Sequence, residues 1–322
     1  MKKIDIIKEC ENACSIGITG HIRPDGDAIG SVMALKLYLK NVFPDKEIKA
    51  YFDAPPTIFS LIKEIDEVES DFPDHEPFDV FFVLDSVPTR ISGAEKYFQN
   101  ARKTINIDHH MSNANGSGDV NYVEAGASST AELVYLLMDK QYVDRSIAEA
   151  IYIGMIHDTG VFKYSNTSPR TLRVAAELIE YGFDFPYIVD KTFYEKTIVQ
   201  NRLLGRALLD AKLYMDGKVI VSCIDKETLA FYGAYPKHLD GIVSQLKVTR
   251  GVNLSVFFYE LEEGHFKVSL RSDGSVNVSA IAVEFGGGGH ERASGCEICG
   301  DYEGALEKIL AAVKEQKKEW TC

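Results

Sequence analysis

Strand-like and helix-like segments alternate along the first 181 residues, and that alternation restricts this part of the chain to an α/β layer with a mainly parallel sheet. Residues 15–20 (Ser-Ile-Gly-Ile-Thr-Gly) read as a short strand, 47–52 as a second, and 103–107 (Lys-Thr-Ile-Asn-Ile) as another. Residues 79–84 (Asp-Val-Phe-Phe-Val-Leu) form an apolar run after Pro77, the pattern of a strand buried on both faces. Apolar residues at helical spacing predict helices over 28–42, 129–140, 145–157 and 169–181, and a weaker one within 1–13. The length of 322 residues favours two domains. The stretch from Phe183 to Leu209 lacks loop signals and reads as helical. We therefore expect a first domain over 1–185, a helical linker over 186–209 and a smaller α+β domain over 210–322. In that second domain Asp216-Gly217 and Glu263-Gly264 each separate two strand-like runs, as in hairpins. A helix at 276–285, a strand at 294–298 and a helix from 302 follow.

Composition narrows the partners. The formal net charge of -13 argues against a protein that grips long duplex DNA through its phosphates. No apolar run is long enough to span a bilayer. The first residues show no signal region, and Glu9 and Glu11 argue against a transit peptide, so the expected location is cytoplasmic. The cysteines are Cys10, Cys14, Cys223, Cys296, Cys299 and Cys322. Cys296 and Cys299 form a lone C-x-x-C with no second pair at zinc-site spacing, so reduced structural thiols are expected.

Four clusters in the first half carry Asp and His. His21-Ile-Arg-Pro-Asp25-Gly-Asp27-Ala-Ile-Gly30-Ser31 follows a strand and opens a helix, where open α/β sheets bind ligands. Alone it would also fit a polar turn with an N-capping Asp27. Asp85 directly follows the apolar run at 79–84. Asp108-His109-His110 follows the strand at 103–107. Asp158-Thr159-Gly160 ends a helix, where a carboxylate opposes the macrodipole and a cation would offset the cost. His157 beside it fits a histidine favoured by the same dipole.

Three of these clusters follow strands expected to be parallel, so they can converge on one sheet edge. Five carboxylates gathered there would repel one another without counter-charge. Two divalent cations would neutralise most of it. Oxygen-rich ligation with imidazole and no thiolate favours manganese or magnesium over zinc. Such a metal pair can clamp a phosphate and activate water.

His21 to Ser31, Asp85, Asp108-His109-His110 and Asp158-Thr159-Gly160 resemble the four motifs of the DHH phosphoesterases. Arg271-Ser272, Asn277 to Ala282 and Gly286-Gly-Gly-Gly289-His290-Glu-Arg-Ala293-Ser-Gly295 resemble the DHHA1 substrate domain. The resemblance spans nearly the whole chain. It implies that His21, Asp25 and Asp85 hold one metal, and that Asp27, Asp85, His109 and Asp158 hold the other, with Asp85 bridging. The implied cofactor is two Mn2+ ions per chain, or Mg2+ in their place. His110 would face the scissile phosphate or its leaving group. Asp108 would orient the following histidine. Gly287, Gly288 and Gly289 would let a phosphate approach the backbone, with His290, Arg271 and Ser272 donating to it. Arg292 is a weaker candidate for the same role.

Among such proteins the sequence is most similar to the stand-alone bacterial oligoribonucleases (nanoRNases) that also dephosphorylate 3'-phosphoadenosine 5'-phosphate. The expected substrates are oligonucleotides of about two to five units, without long duplex or membrane partners, and the resemblance suggests a homodimer. A cyclic di-AMP or linear dinucleotide phosphodiesterase is the alternative. A catalytically silent nucleotide sensor would be expected to have lost a ligand, and no ligand position is missing.

Overall fold

The computed structural model describes residues 3–320, so Met1, Lys2, Thr321 and Cys322 lie outside the described residues. The chain divides into two compact units, Met1–Glu195 and Lys196–Cys322. No helix among the described residues is long and apolar enough to cross a membrane.

The first unit begins with α1 (Ile6–Cys10), β1 (Ser15–Thr19), α2 (Gly26–Val42), β2 (Glu47–Tyr51) and β3 (Val80–Leu84). It continues with α3 (Glu95–Asn100), β4 (Thr104–Asp108), β5 (Val120–Val123), α4 (Thr130–Leu137), α5 (Arg145–Thr159), α6 (Pro169–Ile179) and α7 (Phe185–Val189). All five strands are parallel, in the order β2-β1-β3-β4-β5. The central β3 and β4 are buried along their whole length, which is why β3 reads as an unbroken apolar run. The chain leaves β1 for β2 on one side and then crosses to β3 on the other. That reversal makes the carboxyl ends of β1 and β3 the place where a ligand crevice forms.

Caps fix the helix starts as their sequences require. Ser129 accepts from the Glu132 amide at 3.0 Å, Asp144 from Ile147 at 3.0 Å, and Ser168 and Thr171 form a capping box. Helix α2 is buried all round from Gly26 to Leu39, between the sheet and α5, so its apolar character is not confined to one stripe. A small aromatic cluster of Tyr51, Phe78, Phe81 and Tyr97 covers the opposite face of the sheet.

The expected helical linker divides. A π-helical turn, Asp190–Tyr194, follows α7 and ends the first unit. Helix α8 (Ile198–Leu209) starts afresh on a Thr197/Gln200 capping box and buries Leu203 and Ala207 in the second unit's core. The second unit continues with β6 (Lys212–Tyr214), β7 (Val219–Ile224), α9 (Lys226–Phe231), α10 (Ile242–Lys247), β8 (Leu254–Glu262) and β9 (His265–Ser272). Then come α11 (Val278–Glu284), β10 (Gly288–His290), β11 (Ala293–Cys299) and α12 (Tyr302–Gln316). Its sheet runs β10-β11-β9-β8-β7-β6, with both expected hairpins present and β7 parallel to β8. Cys296 lies in the core and Cys299 is exposed, because residues three apart on a strand point to opposite faces. The C-x-x-C therefore offers no paired thiol site.

Helices α2 and α5 meet at Gly30. A Cβ there would lie 2.5 Å from the Ala150 carbonyl oxygen and 2.7 Å from the Gly154 nitrogen. Helix propensity favours Ala over Gly by about 0.8–1 kcal/mol, but overpacking costs about 1–3 kcal/mol. The clash is with backbone that cannot swing aside, so packing wins. Gly30→Ala is expected to lower the unfolding free energy by about 1–2 kcal/mol, read from the urea midpoint; an unchanged or higher midpoint would refute this close approach.

Candidate metal centre

Four chain segments bring carboxylates and imidazoles to the carboxyl edge of the first sheet. His21 lies two residues beyond β1, and its Nε2 is 3.6 Å from both Asp25 Oδ1 and Asp85 Oδ2. Asp25 is the N-cap of α2, accepting from the amides of Asp27 and Ala28 at 3.0 and 3.1 Å. Asp27 sits in the helix's first turn. Asp85 follows β3 with φ +55, a left-handed conformation that Asp tolerates better than most residues. His109 follows β4, and its Nε2 lies 3.5 Å from Asp85 Oδ1, 3.7 Å from Asp158 Oδ2 and 3.8 Å from Asp27 Oδ2.

These atoms form two groups with donor atoms close enough to share an ion. One is His21, Asp25 and Asp85; the other is Asp27, His109 and Asp158. Asp85 turns one oxygen toward His21 and the other toward His109, so a single carboxylate faces both groups. A third group, Asp85, His109 and His110, overlaps them. The donors are carboxylate oxygens and imidazole nitrogens with no thiolate, a set suited to manganese, magnesium or a similar divalent ion.

The electrostatics of the protein alone point the same way. Burial pushes the Asp27 carboxyl well above the ordinary value, and the charges of Asp158 and Asp25 push it further. Burial does the same to Asp85, reinforced by Asp27, Asp25 and Asp108. Asp158 is raised chiefly by burial, with His109 opposing. A cation would replace the missing counter-charge.

The supporting contacts come from a stretch to which the sequence assigned no role, Ala127–Ala131. The Ala127 carbonyl lies 3.3 Å from His109 Nδ1; accepting that ring proton leaves Nε2 with its lone pair toward the carboxylates, free to ligate a metal. The amides of Thr130 and Ala131 donate to the two oxygens of Asp27 at 2.7 and 2.8 Å, and the Thr130 hydroxyl donates to Asp85 Oδ1 at 3.0 Å. Asp27 thus sits on the amino end of α4, where exposed amides favour an anion. The useful clue was the Ser129-Thr-Ala-Glu132 helix start, because first-turn amides are available wherever a helix begins.

Asp108 orients His110 rather than the ring of His109. Its Oδ1 accepts from the amides of both histidines at 2.7 and 3.0 Å and from His110 Nδ1 at 2.8 Å, while Asn113 donates to Oδ2 at 2.7 Å. The Asp108 carboxylate raises the His110 pKa against the opposing effect of burial. His110 is more open to solvent than His109. His157 is not explained by the helix dipole alone, since its ring sits between Phe59 and Phe193, with centroids at 5.0 and 5.5 Å, and against Gly26.

In the second unit, antiparallel register aligns His290 with Ala293 and Ala293 with Arg271. These three residues therefore share one face of the sheet. Arg271 is half-buried and donates to the Leu270 carbonyl at 2.9 Å, and His290 is exposed. Ser272 is buried, its hydroxyl accepting from the amides of Gly274 and Val276 at 3.0 and 3.3 Å, so it shapes the turn into α11. The glycines differ among themselves. A Cβ on Gly287 would lie 2.2 Å from the Gly295 carbonyl oxygen, and one on Gly289 (φ +138) 2.6 Å from that of Ala293. Both are required by the fold of this hairpin. Gly288 meets nothing within 4 Å, leaving its backbone open to a ligand. The Arg292 guanidinium lies over Gly274.

Comparison with known proteins agrees with this geometry. Residues 15–155 match the DHH family N-terminal domain, and 216–319 match the DHHA1 domain. The bifunctional oligoribonuclease and PAP phosphatase NrnA of Thermus thermophilus is 33% identical over 319 residues, covering 97% of this chain and 92% of that protein. The NrnA protein of Bacillus subtilis is 32% identical, covering 98% and 99%. The crystal structure of an exopolyphosphatase-related protein from Bacteroides fragilis has a TM-score of 0.86 at 28% identity, covering 98% of this chain and 96% of that one.

Because Asp27 and Asp85 are raised above 3.8, the folded metal-free protein holds protons that the unfolded chain has lost. Their contribution to stability therefore falls as pH rises above that value. After EDTA treatment, Mn2+ at pH 7.5 should raise the melting temperature, by the equivalent of about 2.7 kcal/mol at a hundredfold excess over Kd. Asp85→Asn should leave the metal-free protein at least as stable and abolish the Mn2+ response. A wild-type melting temperature indifferent to Mn2+, or an Asp85→Asn protein that still responds fully, would contradict the assignment.

Proposed function

We propose, from the premise that this chain belongs to the DHH family, that it is a two-metal phosphohydrolase. Its substrates are short oligonucleotides of about two to five units, cut at 3'-5' linkages to mononucleotides, and 3'-phosphoadenosine 5'-phosphate, converted to AMP. The observation that carries this reading is the carboxylate of Asp85, one oxygen toward His21 and the other toward His109. We assign His21, Asp25 and Asp85 to one Mn2+ and Asp27, Asp85, His109 and Asp158 to the second. Mg2+ would fit the same oxygen-rich set. When bound, such a pair neutralises phosphate charge and lowers the pKa of water at the site.

The protein's own groups divide the remaining work. Water attacks phosphorus and gives up a proton to solvent, a new P–O bond forms, and the bond to the departing ribose oxygen breaks. His110, held through Nδ1 by Asp108 and raised in pKa by it, supplies a proton from Nε2 to that oxygen. Thr130 and the amino end of α4 hold Asp85 and Asp27 still while charge shifts. We assign to the second domain the grip on the substrate's terminal phosphate, through Arg271, His290 and the open backbone at Gly288, with Gly287, Gly289 and Ser272 shaping that surface.

The test is turnover of pApA, pGpG, cyclic di-AMP and 3'-phosphoadenosine 5'-phosphate, each with Mn2+ and with Mg2+. We expect hydrolysis of the linear dinucleotides and of 3'-phosphoadenosine 5'-phosphate with Mn2+. A strong preference for cyclic di-AMP would replace this assignment with a cyclic dinucleotide phosphodiesterase. Asp85→Ala should abolish turnover. His110→Asn should lower kcat by about 10²–10⁴ while Mn2+ binding persists; an unchanged kcat would remove His110 from the reaction.

A further inference from the structure

The loop that holds the metal-facing groups is itself held at both ends by one side chain. Arg170, the second residue of α6, donates from Nε to Glu132 Oε1 at 2.5 Å and from Nη1 to Glu124 Oε1 at 2.6 Å. Glu124 and Glu132 bracket the Ala127–Ala131 stretch. Glu124 joins the loop to the sheet edge, its amide donating to the Asp108 carbonyl at 3.0 Å. Glu132 is fully buried, and its Oε2 accepts from the Ser128 amide at 3.2 Å, from the Thr171 hydroxyl at 2.9 Å and from the Ser128 hydroxyl.

From inside this bracket come the contacts to Asp27, Asp85 and His109 described above. Asp158 is tied to it as well: Asn166 donates to the Ser128 carbonyl at 2.9 Å and to Asp158 Oδ2 at 3.2 Å. Arg170 thus reaches both ends of the loop. A planar guanidinium can span two carboxylates in a fixed geometry, which a lysine ammonium cannot reproduce.

We propose that Arg170 is a positioning residue for the metal centre, strapping Glu124 to Glu132 so that the loop between them holds Asp27, Asp85, His109 and Asp158 at metal-binding separation. This rests on the two-metal reading above. Arg170 touches neither metal nor substrate; it acts through the loop. Loss of the strap lets the carboxylates drift apart, so it weakens metal capture before it affects substrate capture.

The experiment is a titration of EDTA-stripped, full-length protein with MnCl2, followed by calorimetry and by the EPR signal of free Mn2+. It compares the wild type with Arg170→Lys, Arg170→Gln and Glu124→Gln. Circular dichroism and melting curves report folding, and turnover is measured across Mn2+ concentrations. Loss of such supporting contacts typically weakens metal affinity by about 10–100-fold. We expect a shift of that order for Arg170→Lys and Arg170→Gln, and a smaller one for Glu124→Gln. The Mn2+ concentration for half-maximal turnover should rise in step, while KM at saturating Mn2+ changes little and kcat recovers. A purely structural arginine would lower the melting temperature and leave the Mn2+ curve in place, and that result overturns the proposal. If Arg170→Gln fails to fold, Arg170→Lys and Glu124→Gln decide it by the same curve. A wild type that binds no Mn2+ would overturn the metal centre, and the strap with it; wild-type binding matched by every folded variant would overturn the strap alone.

Discussion

Mutual repulsion among carboxylates at one sheet edge is the constraint on which the rest of the structure turns. Asp27 and Asp85 are buried, and each is pushed toward its neutral form by its neighbours as well as by loss of water. A fold does not gather such groups without a compensating charge, and no lysine or arginine forms an ion pair with either of them among the described residues. Divalent cations would resolve the conflict. The same cations would make the centre receptive to a phosphate, although the chain as a whole carries -13.

The scaffold places these groups with few special devices. The strand order creates a crevice at the carboxyl ends of β1 and β3, where His21 and Asp85 emerge. The next strand delivers Asp108, His109 and His110, and the close approach of α5 to α2 brings Asp158 to Asp27. Around them, backbone amides and a carbonyl of the α4 start fix orientation. Sites held on rigid elements in this way can keep their geometry when the metal leaves.

Much of this was legible in the sequence. The parallel α/β class, the four motif segments and the two hairpins are written in residue types: apolar runs, Asp and His after strands, and Asp-Gly and Glu-Gly turns. What was missed is written in backbone. The hold of Thr130 and Ala131 on Asp27 uses main-chain amides, which every residue possesses, so residue types mark the helix start at Ser129 but not the partner its amides take. The short α3, α9 and α10 bury only one to three side chains each, too few for a periodic signal. Strand β5 carries a polar Asn121 whose side chain closes a turn with Gly118, so it reads as loop. The apparent linker merged two helices with opposite loyalties, because capping by Thr197 and Gln200 looks like ordinary helical sequence. Gly287 and Gly289, read as places for a phosphate, are first of all places where two backbones meet.

The central claim is that two ions share one carboxylate. Anomalous X-ray diffraction at the manganese edge from Mn2+-soaked crystals tests it most directly. The account predicts two peaks about 3.5–4 Å apart, flanking Asp85, one beside His21 and the other beside His109. A single peak, or peaks that leave Asp85 without a metal, would contradict it.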